Sequence, residues 1–144
     1  MPDKKGTILW VDDEIELLRP HILLLEEKGY KVLTVTNGED AITQVRTGGP
    51  ELVLLDEMMP GMGGLQTLTL IKEHHPTLPV VLVTKNEEES LMEEAIGKKI
   101  NDYLTKPINP SQILLTVKKF LEGKKIVDSK TSQDYIREFN SITM

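Results

Sequence analysis

Leu52-Val-Leu-Leu-Asp-Glu-Met-Met-Pro-Gly-Met-Gly-Gly64 is the stretch that decides the fold. Its apolar run is too short for a helix and contains a β-favouring valine, so it predicts a buried strand. The strand ends at Asp56, and Pro60 and Gly61 break the chain soon after it. Ligands bind at the carboxyl edge of open parallel sheets, which makes Asp56 a candidate site residue. From this stretch alone, the alternative is that Asp56 only caps the following turn.

The composition is that of one globular domain. The chain has 144 residues, of which 39% are hydrophobic and 28% charged, enough to bury a core. Its net charge of −6 argues against a general surface for nucleic acid or anionic membranes. Without cysteine there is no disulfide or thiolate chemistry. No segment resembles a signal peptide or is long enough to span a bilayer, so a cytoplasmic location is the default expectation.

Five β-favouring runs alternate with five helical patterns along the chain. This alternation predicts an α/β fold, a doubly wound (βα)5 sheet of five parallel strands with right-handed crossovers. The expected strand order is the flavodoxin-like 2-1-3-4-5, which places strands one and three side by side. Strands are predicted at residues 7–11, 31–36, 52–56, 79–84 and 100–105, and helices at 15–28, 38–47, 65–75, 86–97 and 110–121.

Several helix ends carry sequence signals. Asn37 and Asn109 are predicted to cap the second and fifth helices, and Asn86 is predicted to start the fourth. Pro20 lies inside the first helical pattern, where it predicts a kink or local loosening. Gly29 ends that pattern as a C-terminal cap. The apolar face of the first helix also includes a histidine; its members are Leu17, Leu18, His21, Leu24 and Leu25.

Acidic residues follow strand one as well as strand three. Asp12 and Asp13 directly follow the first strand, so the predicted topology brings them beside Asp56. Three clustered carboxylates repel one another and are stable in the ionised form only with a cation. Hard oxygen ligands of this kind suit Mg²⁺. The alternative for Asp12 and Asp13 is helix capping.

Two further side chains reach the same edge of the predicted sheet. Thr84 ends strand four, and Lys106 directly follows strand five. A hydroxyl, an ammonium, a divalent ion and a nucleophilic carboxylate together form a site for phosphoryl transfer to Asp56. Taken singly, Thr84 is a structural residue and Lys106-Pro107 a turn. The presence of both residues beside the aspartates, at the same edge of the sheet, favours the phosphoryl site.

The motifs DDE after strand one, LLDEMMPGMGG after strand three, VT after strand four and DYLTKP at strand five resemble the receiver domain of two-component response regulators. The resemblance to this CheY-like family covers about residues 7 to 122. In finer detail, the sequence is similar to PorX-type regulators, in which an alkaline-phosphatase-like PglZ effector domain follows the receiver. The resemblance implies a phosphoacceptor with at most slow autodephosphorylation rather than an enzyme.

The resemblance also implies the role of each acid. Asp56 would take a phosphoryl group from the phosphohistidine of a sensor histidine kinase. Asp13, Asp56 and the backbone carbonyl of Met58 would bind Mg²⁺ directly, and Asp12 would bind it through water.

The remaining motif residues would form a switch. Lys106 would pair with the phosphoryl group, and its peptide bond to Pro107 would be cis. Thr84 would move toward that group and the Tyr103 ring would turn inward. The face formed by the fourth helix, fifth strand and fifth helix would then change its affinity for a partner or for a second copy. The alternative for Tyr103 is ordinary core packing.

The chain departs from the family pattern at Glu57, Gly63 and Lys85. We hypothesise that Lys85 partly covers the phosphoryl site and slows hydrolysis; the alternative is a solvent-directed lysine. Residues 1–123 are predicted to be the receiver and residues 124–144 a helical tail or linker toward an effector domain. A cap at Thr131 and an apolar face support that helix; the face comprises Tyr135, Phe139 and Ile142.

Two other functions compete with a phosphorylation switch. A Mg²⁺-dependent phosphohydrolase of the haloacid dehalogenase type would also use an aspartyl-phosphate, but that family places a DxD pattern on strand one. A flavodoxin-like flavin protein would need a phosphate cradle after strand one, where this chain carries acids that repel phosphate.

Overall fold

The computed structural model describes residues 5–123, which form one parallel β-sheet covered by helices on both faces. The strand order is β2-β1-β3-β4-β5, and all four neighbouring pairs are parallel. Fold class and strand order are therefore confirmed. The strands are β1 (Thr7–Val11), β2 (Lys31–Val35), β3 (Leu52–Asp56), β4 (Val80–Thr84) and β5 (Asp102–Thr105).

Helices follow each strand. A short 3₁₀ helix at Ile15–Leu18 precedes α1. The α-helices are α1 (Arg19–Glu27), α2 (Gly38–Arg46), α3 (Gly64–His74), α4 (Glu89–Gly97) and α5 (Pro110–Leu121). Among residues 5–123, no helix combines the length and apolar character that crossing a bilayer requires. The helix predicted from Thr131 onward lies outside the described residues.

The first helical segment differs from the prediction of one continuous helix. It divides into the 3₁₀ turn and α1, and Pro20 stands in the first turn of α1. A proline is tolerated there because the first N–H groups of a helix have no partner within it. Gly29 has a φ of 102° and ends the segment as predicted.

The fourth helix begins at Glu89, three residues later than predicted. The Asn86 side chain does not cap the helix but accepts a hydrogen bond from the Glu88 N–H at 2.9 Å. This bond joins the Asn86 side chain to the N–H group two residues later and forms an Asx turn, which competes with helix initiation. Asn37 and Asn109 do cap α2 and α5 as predicted, through bonds from the Asp40 and Ser111 N–H groups.

The fifth strand begins at Asp102 rather than at residue 100. The Ile100 N–H still bonds to the Ala95 carbonyl at the end of α4, and Lys99 has a φ of 71°. Ile100 therefore closes the helix terminus, as in a Schellman motif, and cannot yet pair in the sheet.

Alternate residues of the strands enter two separate cores. Trp10 and Leu54 face α1 and α5, whereas Leu9, Val53 and Leu55 face α2, α3 and α4. All five residues of β3 are buried, as expected for a central parallel strand. Burial of each large apolar side chain stabilises the fold by about 1.5–3 kcal/mol, which holds the carboxyl ends of the strands in place.

Candidate functional site

The carboxyl edge of the sheet brings three aspartates together. Val11 at the end of β1 pairs with Leu55, so the residues that follow, Asp12 and Asp56, are neighbours across the two strands. The three carboxylates of Asp12, Asp13 and Asp56 each offer an oxygen that lies within 4.8 Å of the others. The structure thus places this predicted cluster where the topology requires it.

The three acids differ in exposure. Asp12 is 0% and Asp56 5% exposed, whereas Asp13 lies at the surface. Burial, together with the negative charge of Asp12, raises the pKa of the Asp56 carboxyl to about 6. Lys106 and the Met58 N–H oppose this shift but do not cancel it. Asp56 therefore sits in a region where its own negative charge is disfavoured until a cation binds nearby.

Lys106 supplies the positive charge of the site. Its amine lies 2.6 Å from Asp12 Oδ2 and 3.6 Å from Asp56 Oδ1. Burial acts to lower the pKa of this amine, but the hydrogen bond to Asp12 and the charge of Asp56 outweigh it and raise the pKa. The peptide bond from Lys106 to Pro107 is cis. The lysine faces the carboxylates from the last strand of the sheet.

Asp12 accepts hydrogen bonds from two partners. Its Oδ2 accepts from the Lys106 amine, and its Oδ1 accepts from the Glu14 N–H at 2.8 Å. The alternative of helix capping is wrong for Asp12, because its bond from the Glu14 N–H lies before the 3₁₀ helix that begins at Ile15; this bond occupies only one of the two oxygens. The direct bond between Asp12 and Lys106 is absent from the predictions because the topology brings Lys106 to this edge of the sheet but does not determine which acid its amine contacts.

Thr84 and Tyr103 lie on neighbouring strands but in different environments. Thr84 is 1% exposed, and its hydroxyl oxygen accepts from the Asn86 N–H at 2.9 Å. Tyr103 is 46% exposed. The alternative that Tyr103 is a core residue is therefore wrong for this conformation, since half of its side chain lies in solvent.

A cavity of about 540 Å³ opens above the acids. Asp13, Asp56, Thr84 and Lys106 contribute to its wall, so the predicted residues share one accessible space. Asp12 lies buried behind it. Three of the other lining residues, Met59, Pro60 and Asn86, were not predicted as site residues, because their side chains carry no charge pattern that would identify them. The rest of the lining consists of Glu14, Glu57, Met58, Met59, Pro60, Lys85 and Asn86.

The residues that depart from the family pattern also border this space or its loop. Lys85 is exposed at the cavity wall. Glu57 is half-buried, and its Oε2 is a buried atom with no hydrogen-bond partner among residues 5–123. Gly63 precedes α3, and a methyl group there would meet only the Glu57 carbonyl, at 3.9 Å.

The donor set fits a hard divalent cation. Three carboxylate oxygens converge, Asp13 among them at the surface, and one lysine leaves the cluster with excess negative charge. Mg²⁺ prefers a few carboxylates together with carbonyl and water oxygens. The prediction that Asp13, Asp56 and the Met58 carbonyl would bind the ion directly, with Asp12 acting through water, stays a prediction; the structure brings the three carboxylates together.

Comparison with known proteins gives a consistent result. The model of the response regulator receiver domain family matches residues 8–118. The uncharacterized transcriptional regulatory protein YkoG of Bacillus subtilis is 36% identical over 136 residues, which is 92% of this chain and 59% of that protein. PhoP, the alkaline phosphatase synthesis transcriptional regulatory protein of the same organism, is 31% identical over 121 residues, 83% of this chain and 50% of PhoP.

Among solved structures, the receiver domain of NtrX from Brucella abortus is 30% identical to this chain. It superposes with a TM-score of 0.73 over 80% of this chain and 98% of that one. The chain spans about half the length of the curated relatives it matches. The match therefore concerns the domain described above rather than the relatives as whole proteins.

Proposed function

Since this chain belongs to the response regulator receiver domain family, and is a receiver homologous to two-component response regulators, we propose that Asp56 is the residue that accepts the phosphoryl group. The donor would be the phosphohistidine of a sensor histidine kinase. The observation that carries the proposal is the position of the Asp56 carboxylate, at the cavity wall and 3.6 Å from the Lys106 amine.

This geometry supports a direct transfer from the histidine to Asp56. An Asp56 carboxylate oxygen attacks the phosphorus atom, the bond from phosphorus to the histidine nitrogen breaks, and its electron pair stays on the imidazole. The new bond makes an acyl phosphate on Asp56. Lys106 moves its contact from Asp12 to a phosphoryl oxygen, where its charge stabilises the transferring group. Bound Mg²⁺ would supply further neutralisation of the phosphoryl oxygens.

The same group would drive a conformational switch. Thr84 ends β4 at the cavity wall, and after a small shift its hydroxyl would donate a hydrogen bond to a phosphoryl oxygen. The exposed Tyr103 ring would then turn inward into the space that Thr84 leaves. The surface formed by α4, β5 and α5 would change with it, and would control the affinity for a partner or for a second copy of the chain.

A narrower proposal concerns the effector domain that the receiver would control. Relatives such as PhoP are named transcriptional regulatory proteins, and they are about twice as long as the matched part. An effector domain following the receiver is consistent with this difference. The PorX-type arrangement with a PglZ effector, the division into residues 1–123 and 124–144, and a cytoplasmic location stay predictions from the sequence.

Binding of beryllofluoride, which mimics a phosphoryl group on aspartate, tests the proposed function. With Mg²⁺, we expect beryllofluoride to raise the melting temperature of the parent protein, because it binds only the folded state. Light scattering in the same samples would report any change of oligomeric state. Asp56→Asn should abolish the response, whereas Glu39→Gln, which removes an exposed acid on α2, should retain it.

Two outcomes would contradict the proposal. One is an equal response in the parent and in Asp56→Asn. The other is sustained turnover of a generic phosphomonoester such as p-nitrophenyl phosphate, which would favour the phosphohydrolase instead.

A further inference from the structure

His21 connects the first helix to the loop that follows the site lysine. Its Nε2 lies 2.7 Å from the backbone carbonyl oxygen of Ile108, 87 residues away in the chain. A carbonyl can only accept, so Nε2 must carry the hydrogen and donate it. The bond is short and partly buried, which makes it a defined tether between α1 and the loop joining β5 to α5.

Among residues 5–123, the backbone of this loop makes few other hydrogen bonds. Pro107 and Pro110 have no N–H to donate. The Lys106 N–H bonds to the Thr84 carbonyl, and the Asn109 carbonyl and side chain serve the first turn of α5. Between these two anchors, the His21 side chain is the described partner of the Ile108 carbonyl.

The imidazole is itself held in place. Its ring meets the ring of Trp10 edge-on, with centroids 6.4 Å apart and an interplanar angle of 71°. Trp10 is fully buried in β1, two residues before Asp12. The Ile108 side chain is also buried in the core that contains Trp10. His21 therefore contacts both the strand that leads to Asp12 and the loop that follows Lys106.

We propose that His21 is a positioning residue for phosphoryl transfer, which holds the Lys106–Ile108 segment so that the lysine amine faces Asp12 and Asp56. The inference rests on the proposed function, because it assigns His21 an effect on transfer to Asp56. The Lys106 amine lies 3.6 Å from Asp56 Oδ1. During transfer it must contact an oxygen of the phosphoryl group that binds to Asp56. A displacement of about 1 Å at a reacting centre can reduce a rate by up to roughly 100-fold.

Three substitutions separate the hydrogen bond from packing. His21→Phe keeps a ring against Trp10 but removes the donor. His21→Gln keeps a donor, since its amide nitrogen reaches about as far along the side chain as Nε2. His21→Asn places its amide nitrogen one atom short of that position and so serves as a donor of the wrong reach.

The experiment measures the rate of phosphorylation by acetyl phosphate and, separately, Mg²⁺ binding. Titration calorimetry measures Mg²⁺ affinity in every variant, because His21 contacts Trp10 and its replacement would change the tryptophan fluorescence by itself. We expect His21→Phe and His21→Asn to lower the phosphorylation rate roughly 3- to 30-fold, while Mg²⁺ affinity stays unchanged. His21→Gln should restore most of the rate.

A merely structural role predicts a different pattern. It would lower the phosphorylation rate only in proportion to the unfolded fraction, which thermal melts of each variant report, with no rescue by glutamine. That pattern, or parental rates in His21→Phe, would overturn the positioning role and leave the proposed function intact. If the parent is no more phosphorylated than Asp56→Asn, both proposals are contradicted.

Discussion

Three carboxylates and one ammonium share a small volume at the carboxyl edge of this sheet. Asp12 is fully buried and bonded to Lys106, so its charge is compensated within the protein. Asp56 is also buried, but the same amine is 1 Å farther from it than from Asp12 (3.6 against 2.6 Å). Asp56, whose negative charge is less well neutralised by Lys106, is thus the one of these two carboxylates that faces the cavity. This arrangement favours the binding of a cation beside Asp56.

The raised pKa of Asp56 predicts a pH-dependent effect of Asp56→Asn on stability. The ordinary pKa is 3.8, and the folded value is about 6. The folded protein therefore holds the proton more tightly between these values. The stability that this proton contributes is complete below about pH 3.8 and is lost as the pH rises through about 6. Without Mg²⁺ at pH 7, we expect Asp56→Asn to raise the free energy of unfolding by about 1–3 kcal/mol.

Urea denaturation at several pH values checks this result. The difference between Asp56→Asn and the parent should shrink as the pH falls from 7 to 4, because the parent carboxyl then becomes neutral. Mg²⁺ at pH 7 should stabilise the parent more than the variant. If the stability difference between Asp56→Asn and the parent is the same at every pH, the negative charge of Asp56 does not destabilise the folded protein.

Lys85 is exposed at the wall of the cavity, where its ammonium can lie over a phosphoryl group on Asp56. We expect Lys85→Ala to shorten the half-life of that group about two- to fivefold, as loss of one exposed charge interaction of about 0.5–1 kcal/mol implies. Decay of the phosphorylated form, followed by mass spectrometry, gives the half-life. Lys118→Ala on α5 is the control for loss of an exposed lysine. An unchanged half-life in Lys85→Ala would assign this lysine to solvent alone.

At the scale of elements, the turn from β3 into α3 controls where Asp56 points. The Gly64 N–H bonds back to the Glu57 carbonyl at 2.9 Å, so the chain folds tightly over the phosphoacceptor candidate. A methyl group on Gly64 would lie 2.6 Å from Glu57 Cα and would also overlap the Asp56 carbonyl oxygen. Only a residue without a side chain allows this approach.

Gly64→Ala and Gly63→Ala form a matched pair for this turn. Gly64→Ala should lower the free energy of unfolding by about 1–3 kcal/mol or more, because the overlap is with backbone atoms that cannot yield easily. Gly63→Ala should change it by less than about 0.5 kcal/mol, since its φ is −73° and the nearest atom is at 3.9 Å. Chemical denaturation of both variants measures the difference. Equal losses would mean that the close approach at Gly64 is not what constrains the turn.

Local signals predicted some element boundaries well and failed at others for a physical reason. Asn37 and Asn109 cap helices because their side chains meet N–H groups two or three residues ahead, inside the helix. Asn86 has the same chemistry, but its bond to the Glu88 N–H closes a turn before the helix starts. The residue type alone does not distinguish these outcomes. Thr84, which accepts from the Asn86 N–H, helps to hold this turn.

At the scale of the whole molecule, the parallel topology is what assembles the site. Once the strand order is known, the acids after β1 and β3 and the lysine after β5 must meet at one edge, and this much could be predicted from the sequence. Contacts across the fold could not. The bond from His21 to the Ile108 carbonyl joins two positions that carry no complementary pattern. The same holds for Tyr30, whose hydroxyl donates to Glu122 at 2.5 Å across 92 residues.

Mass spectrometry of the intact protein after incubation with acetyl phosphate tests the central claim most directly. We expect the addition of one phosphoryl group, dependent on Mg²⁺, located on Asp56 by peptide mapping and absent from Asp56→Asn. No addition to the folded parent in the presence of Mg²⁺, or equal addition to Asp56→Asn, would contradict it.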